Sequence, residues 1–315
     1  MPLNAAAVRH ATYYHCDPFS LRCLKIMTIE QFLETAWDDH ADRPQEVADR
    51  LNAALHLVQA PDHIPPFARL ATHVFGEHLG EWDRGAALLE SMRSLSAFDG
   101  SPAAAGALTR SVATLRYASG EESALEPLSM DDRVAALAVA ASAFVGRNEC
   151  ERGVETYREA LRLGDAGLPP GSPAIRTLAV GGNNLASALE EKKDRNAAQT
   201  RGMIAAAEAA LKYWKLAGTW LEQERAEYRL TRSLLQAGEH SAALQSAGRC
   251  IDVCERNGAP AYERFFGYAA LAFAQRAAGD PASFAASRQN ALAQLEQVPQ
   301  ESRRWCESDL KELAS

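Results

Sequence analysis

The side chains best equipped for chemistry in this 315-residue chain are a row of arginines, a scatter of histidines and an asparagine pair. Arg225, Arg229 and Arg232 recur at i, i+4 and i+7 with Tyr228 interleaved, which puts three guanidinium groups on one helical stripe. A guanidinium fork matches a carboxylate or phosphate through parallel hydrogen bonds, so the stripe suits an acidic peptide or another anion. Glu222, Glu224 and Glu227 share the segment and could neutralise the stripe by local pairing. Both readings stay open from sequence. His73 and His78 flank Glu77 without the His-Glu-x-x-His spacing of a zinc helix, and read as packed or solvated histidines. A cryptic enzyme site using these three is a third functional reading, behind the two given below. Asp38, Asp39, His40 and Asp42 are nearly consecutive, so on a helix they point in different directions and read as a solvated helix end. Cys16 and Cys23 with His10 and His15 fit no standard zinc spacing and read as incidental. No nucleophile elbow, phosphate-cradling loop, dinucleotide fingerprint or calcium loop is present. The expectation is no enzyme, no cofactor and no metal.

Composition narrows the class of protein that must position these groups. Hydrophobic residues make up 47%, and the helix formers alanine, leucine, glutamate, arginine and glutamine dominate without β-branched runs, which predicts an all-α fold. The formal net charge of −8 disfavours nucleic acid and anionic membrane surfaces as partners. No apolar run reaches the roughly 18–20 residues of a membrane span. Six cysteines scattered through a long chain without an apolar leader read as reduced thiols, hence a cytoplasmic protein. Cys250 and Cys254, four apart on a packing stripe, read as small buried hydrophobes.

Residues 1–26 are unpatterned and read as an N-terminal tail, or as an over-long start of the reading frame. Residues 27–315 read as a single helical solenoid. It opens with helices from Thr28 to His40 and Arg43 to Val58, and closes with a capping helix from Glu301 to Ala314 packed through Trp305, Leu310 and Leu313. Its centre is Ile175 to Cys254, two helix pairs end to end, with apolar residues at helical spacing through Ile175, Leu178, Gly182, Leu185 and Leu189.

Helix-to-helix turns fall at Gly80, Asn148, Lys193, Gly238 and Gly279, mostly at a spacing of roughly 40–45 residues, the first interval being about twice 34. Five residues after each turn stand Gly85, Gly153, Ala198, Ala243 and, as an exception, Phe284. Seven before each stand His73, Ala141, Ala186, Thr231 and Ala272. Small residues recurring where helices must approach are the mark of stacked helical hairpins. Here the chain resembles the tetratricopeptide repeat (TPR) superfamily. Leu178 to Leu189 (Leu-Ala-Val-Gly-Gly-Asn-Asn-Leu-Ala-Ser-Ala-Leu) is similar to the kinesin-light-chain type, and the likeness covers about residues 64–295. The resemblance implies a right-handed superhelical solenoid of antiparallel helix pairs that binds a protein or peptide in its concave groove. It also implies that Asn183 faces the groove and holds an extended peptide backbone, with Ser187 and Glu190 further along that face. The alternative for Asn183 is a bond to a neighbouring helix. With the next repeat added, the expected contact face is Asn183, Ser187, Glu190, Arg225, Tyr228 and Arg232. The aromatics Tyr213, Trp214, Trp220, Phe265, Phe266, Tyr268 and Phe273 read as core. Should they enclose a pocket, the second reading is a ligand-sensing regulatory module. Homo-oligomerisation is left open.

Overall fold

Several helices begin after a residue whose side chain closes the first turn, and several others open on proline. The computed structural model describes residues 27–315, so the readings of residues 1–26, His10, His15, Cys16 and Cys23 included, lie outside the described residues. The first helix, α1 (Ile29–Asp39), carries the expected capping box between Thr28 and Gln31. Proline, whose missing N–H costs nothing in a first turn, opens α2 (Pro44–Ala53), and α3 (Ile64–His73) has Pro65 and Pro66 there. The described residues contain no strand, and no helix among them is long and apolar enough to cross a membrane.

Where the sequence points to one stack from residue 27, the described chain divides into two compact units, one ending at Leu125 and the other spanning Glu126–Ser315. Helices α1 to α3 of the first unit, with α4 (Trp82–Ser91), are only ten or eleven residues long. Helices this short gather round one apolar centre, here Phe32, Phe67, Phe75, Leu89 and Met92, instead of stacking as long hairpins. The longer α5 (Pro102–Ser119) packs on α3 and α4. Between α3 and α4 the chain runs through a π turn, Val74–Leu79, and stops at Gly80, whose φ of 68° is left-handed. His73, expected at a small packing position, is instead half-exposed.

The second unit is the helical-hairpin stack. Its pairs are α6 (Met130–Gly146) with α7 (Cys150–Asp165), α8 (Pro173–Glu191) with α9 (Ala197–Ala217), α10 (Trp220–Gln236) with α11 (His240–Arg256), and α12 (Ala261–Ala277) with α13 (Pro281–Gln297). The first helices of successive pairs, α6, α8, α10 and α12, touch in sequence and form one layer. The small-residue rule holds in atomic detail between α6 and α7: a Cβ added at Gly153 would sit 2.9 Å from the Ala141 carbonyl oxygen. It slips between α8 and α9, where Ala198 is exposed and the tight approach falls at Gly182, whose added Cβ would meet the Ala206 carbonyl oxygen at 2.6 Å. The turns at Asn148, Gly238 and Gly279 are left-handed, with φ of 64°, 78° and 77°, and so reverse the chain in the same few residues each time. After α8 the chain leaves extended at Lys192 (φ −77°, ψ 108°), and the Arg195 guanidinium donates to the Leu189 and Glu190 carbonyls at 2.6 and 2.9 Å. A side chain does there what a left-handed residue does elsewhere.

The end of the chain departs from expectation. A short 3-10 segment, Gln300–Cys306, precedes α14 (Glu307–Ala314), so the expected single helix is broken in two. The helix α14 lies against α12. Leu313 is buried as expected, whereas Trp305 is 54% exposed.

Candidate functional site

The helix that carries the stripe, α10, is capped by Thr219, whose hydroxyl accepts from Leu221 N–H and whose own N–H donates to Glu222 at 2.8 Å. Glu222 is thereby spent on the cap and, at 3.8 Å, on Arg176. The other two acids expected to neutralise the arginines turn toward α11. Glu227 is fully buried and accepts from Ser246 Oγ at 2.8 Å and Arg249 Nε at 2.9 Å. Glu224 is 1% exposed and accepts from the Cys250 thiol at 3.2 Å. Burial, with the Glu263 carboxylate beside it, pushes the Glu224 carboxyl well above the usual carboxylate range. Cys250 is likewise pushed up by burial, so it is a packed thiol and not a nucleophile.

The opposite side of α10 forms a ladder, each rung holding one carboxylate from another helix. Arg225 donates to Glu263 of α12 at 2.6 Å. Arg229 pairs with Glu190 of α8, whose second oxygen accepts from Ser233 Oγ at 2.6 Å. Tyr228 Oη donates to Asp309 of α14 at 2.6 Å, and Arg232 donates to Glu312 of α14 at 2.7 Å. The arginines are therefore paired internally. The acids come from the same chain, and from other helices than the local-pairing reading names.

Two residues that sequence reasoning missed complete the α14 seat. Arg276 of α12 donates to the Glu312 carbonyl at 2.9 Å, and Arg288 of α13 donates to the Leu313 carbonyl at 2.8 Å. The last carbonyls of a helix have no partner within it and carry the negative end of its dipole, so two cations there satisfy and attract them at once. Phe273 forms the floor, with the Arg232 and Arg276 guanidiniums 4.9 and 5.6 Å from its ring centre. Beside this seat a cleft of about 290 Å³ opens between Arg232, Phe273, Arg276 and Glu312. Burial pushes the Asp309 carboxyl above the usual carboxylate range even though Tyr228 and Arg232 act against it. Asp309 and Glu312, about one helical turn apart, were the signal for this contact. They are legible only once α14 is set on α10.

The other expected contacts fall differently. Asn183 is 4% exposed, so the open groove face expected for it is closed, which corrects that reading. The reason is Gly181 and Gly182, which draw α8 in against Tyr157, the latter donating to the Leu178 carbonyl at 2.7 Å. Ser187 is half-exposed and Glu190 is taken by Arg229. Trp214 is 1% exposed and Phe265, Phe266 and Phe273 share one buried cluster, so these aromatics are core, with Phe273 also flooring the cleft beside Arg232.

No protein-family profile matches the chain, and no curated protein matches it. Among solved structures it is similar to TPR-like repeats from Podosopora anserina, described as those of a kinesin light chain. That likeness covers 75% of this chain and 96% of the other, at 14% identity and a TM-score of 0.48.

Proposed function

We propose that the second unit is a protein-binding module whose α10–α12 face takes the acidic C-terminal end of a helix, and that α14 of the same chain occupies that face in cis. The observation that carries this reading is α14 itself: two acidic side chains and two terminal carbonyls received by Tyr228, Arg232, Arg276 and Arg288. A partner segment with the same pattern would compete for the same groups. The expected contact residues Tyr228 and Arg232 belong to this face, with Arg225 one turn away and held by Glu263. No reaction is assigned to it.

The test loosens α14 without removing it. In the full chain carrying Asp309→Asn and Glu312→Lys, a labelled peptide of residues 300–315 should bind, while the parent chain should leave it free. Adding Arg232→Glu should weaken that binding at least about tenfold. A peptide that ignores the loosened chain, with helicity intact, ends the reading.

A further inference from the structure

We propose that His40, His73 and His78 form a three-imidazole site for a divalent transition metal of the zinc class. The site lies wholly within the first unit and is independent of the α10–α12 face.

The π turn supports this directly. In an uninterrupted α-helix two residues five apart lie about 140° apart around the axis and cannot share a ligand. Between His73 and His78 the chain adopts i→i+5 bonding over Val74–Leu79, and the two Nε2 atoms stand 3.1 Å apart. Such single π turns are frequent at functional sites. Zinc–imidazole bonds of about 2.0–2.1 Å at tetrahedral angles put ligand nitrogens about 3.3–3.4 Å apart. His73 and His78 are therefore already at ligand spacing. The end of α1 brings the third ring, His40, 4.9 and 5.0 Å from the other two by ring centres. One ligand atom from each residue lies within 4.8 Å of the others, so a small ring rotation of His40 closes the set.

The surroundings orient the rings for that purpose. His73 Nδ1 lies 3.1 Å from Glu77 Oε2, which fixes its N–H there and turns the Nε2 lone pair toward His78. His40 Nδ1 is taken by the Trp37 carbonyl, leaving its Nε2 as the ligand nitrogen. Without a metal, the contact between His73 and His78 holds one Nε2 proton. The ion replaces that proton, and His78 carries its N–H on Nδ1. Three neutral nitrogens and no oxygen donor select zinc-class ions over magnesium or calcium. The rings are half-exposed, so the fourth position of a tetrahedron faces water. Trp37, with ring centres 5.0 Å from His40 and 5.2 Å from His73, walls one side and serves as a reporter.

The experiment uses the full chain freed of metal by chelation and titrated with Co2+ as a visible probe, then with Zn2+. A four-coordinate visible band saturating at one Co2+ per chain, bleached by Zn2+ and accompanied by quenching of Trp37 emission, is the expected result. His78→Gln and His73→Ala should each abolish the band, and Glu77→Gln should weaken binding about 10–100-fold while preserving its shape. Because the first 26 residues also hold cysteines and histidines, a variant with His10, His15, Cys16 and Cys23 all replaced must keep the band. The proposal is overturned if that variant loses it, if no four-coordinate band forms, or if His78→Gln keeps it with native helicity.

Discussion

The two units use polar groups in opposite ways. In the first, ion pairs ride on the outside of an apolar centre: Asp39 bridges Arg43 and Arg50 with the arginine side chains 53% and 34% exposed. In the second, carboxylates run through the layer between helices, and the Arg229–Glu190 pair is 8% and 10% exposed. A unit that closes round one centre can leave its charges in water. In the stack the α8–α10 and α10–α12 seams are polar, and each is matched by an ion pair.

Removing one partner from each kind of pair should separate the units most widely. Glu190→Ala leaves a buried guanidinium uncompensated and should cost about 3–5 kcal/mol, whereas Asp39→Ala should cost about 1 kcal/mol or less. Replacing Arg229 and Glu190 together by Met and Leu should recover most of the loss in a denaturant double-mutant cycle. Equal costs at Glu190 and Asp39 would erase the distinction. Next in size is Gly182→Ala. Overpacking costs about 1–3 kcal/mol and displacing the Tyr157 hydroxyl from its carbonyl about 1–3, against about 1 regained from helix propensity. A net loss of about 3 kcal/mol is expected, read from the unfolding midpoint of the second unit.

Acid should sharpen the contrast further. The shifted carboxyls of the first unit, Glu30, Asp39, Asp49 and Asp99, are all lowered, mainly by hydrogen bonds from Thr28, Arg50, Arg84 and Ser101. A lowered carboxyl stabilises above its unfolded value and loses that contribution as pH falls through its folded one. The second unit holds lowered carboxyls too, at Glu159, Asp165, Glu222 and Asp280, but only there, among the described residues, are any raised: burial lifts Glu224 and Asp309, so their contribution grows as pH drops from neutrality. Glu224→Gln should raise the stability of the second unit near neutrality and flatten its dependence on pH. The smallest effects should be shared: Gly106→Ala in α5 and Gly248→Ala in α11 meet nothing within 4 Å, and each should stabilise by about 0.5–1 kcal/mol in thermal melts.

How much could be read from residues alone follows the same division. Regular hairpins announce themselves, because a left-handed residue at Asn148, Gly238 or Gly279 and small partners such as Ala141 and Gly153 are local chemistry at a repeating interval. The α8–α9 turn at Lys193 was legible as a polar break, but its closure was not, since that depends on one long side chain four residues beyond the helix it caps. The arginine stripe was legible as an acid receiver, while its acids, 38 to 81 positions away, were not. Asn183 misled because the resemblance implied an open groove there, whereas Gly181 and Gly182 beside it bring α8 in close. The histidines were visible singly. Their meeting depends on a π turn that no helical periodicity announces, and on a third ring 33 positions upstream of His73.

Arg195 has a corollary for how such a stack could lengthen or bend. Joints fastened by backbone conformation tolerate neither a longer connection nor a change of angle, whereas a guanidinium on a flexible stem can follow its carbonyls over several ångströms. The clasp also reaches across to Gln236 at 3.0 Å, so one guanidinium tethers the ends of two neighbouring hairpins. Insertions, proteolytic nicks or flexing under load should therefore concentrate between Lys192 and Asn196, leaving the glycine joints as the stiff vertebrae on either side.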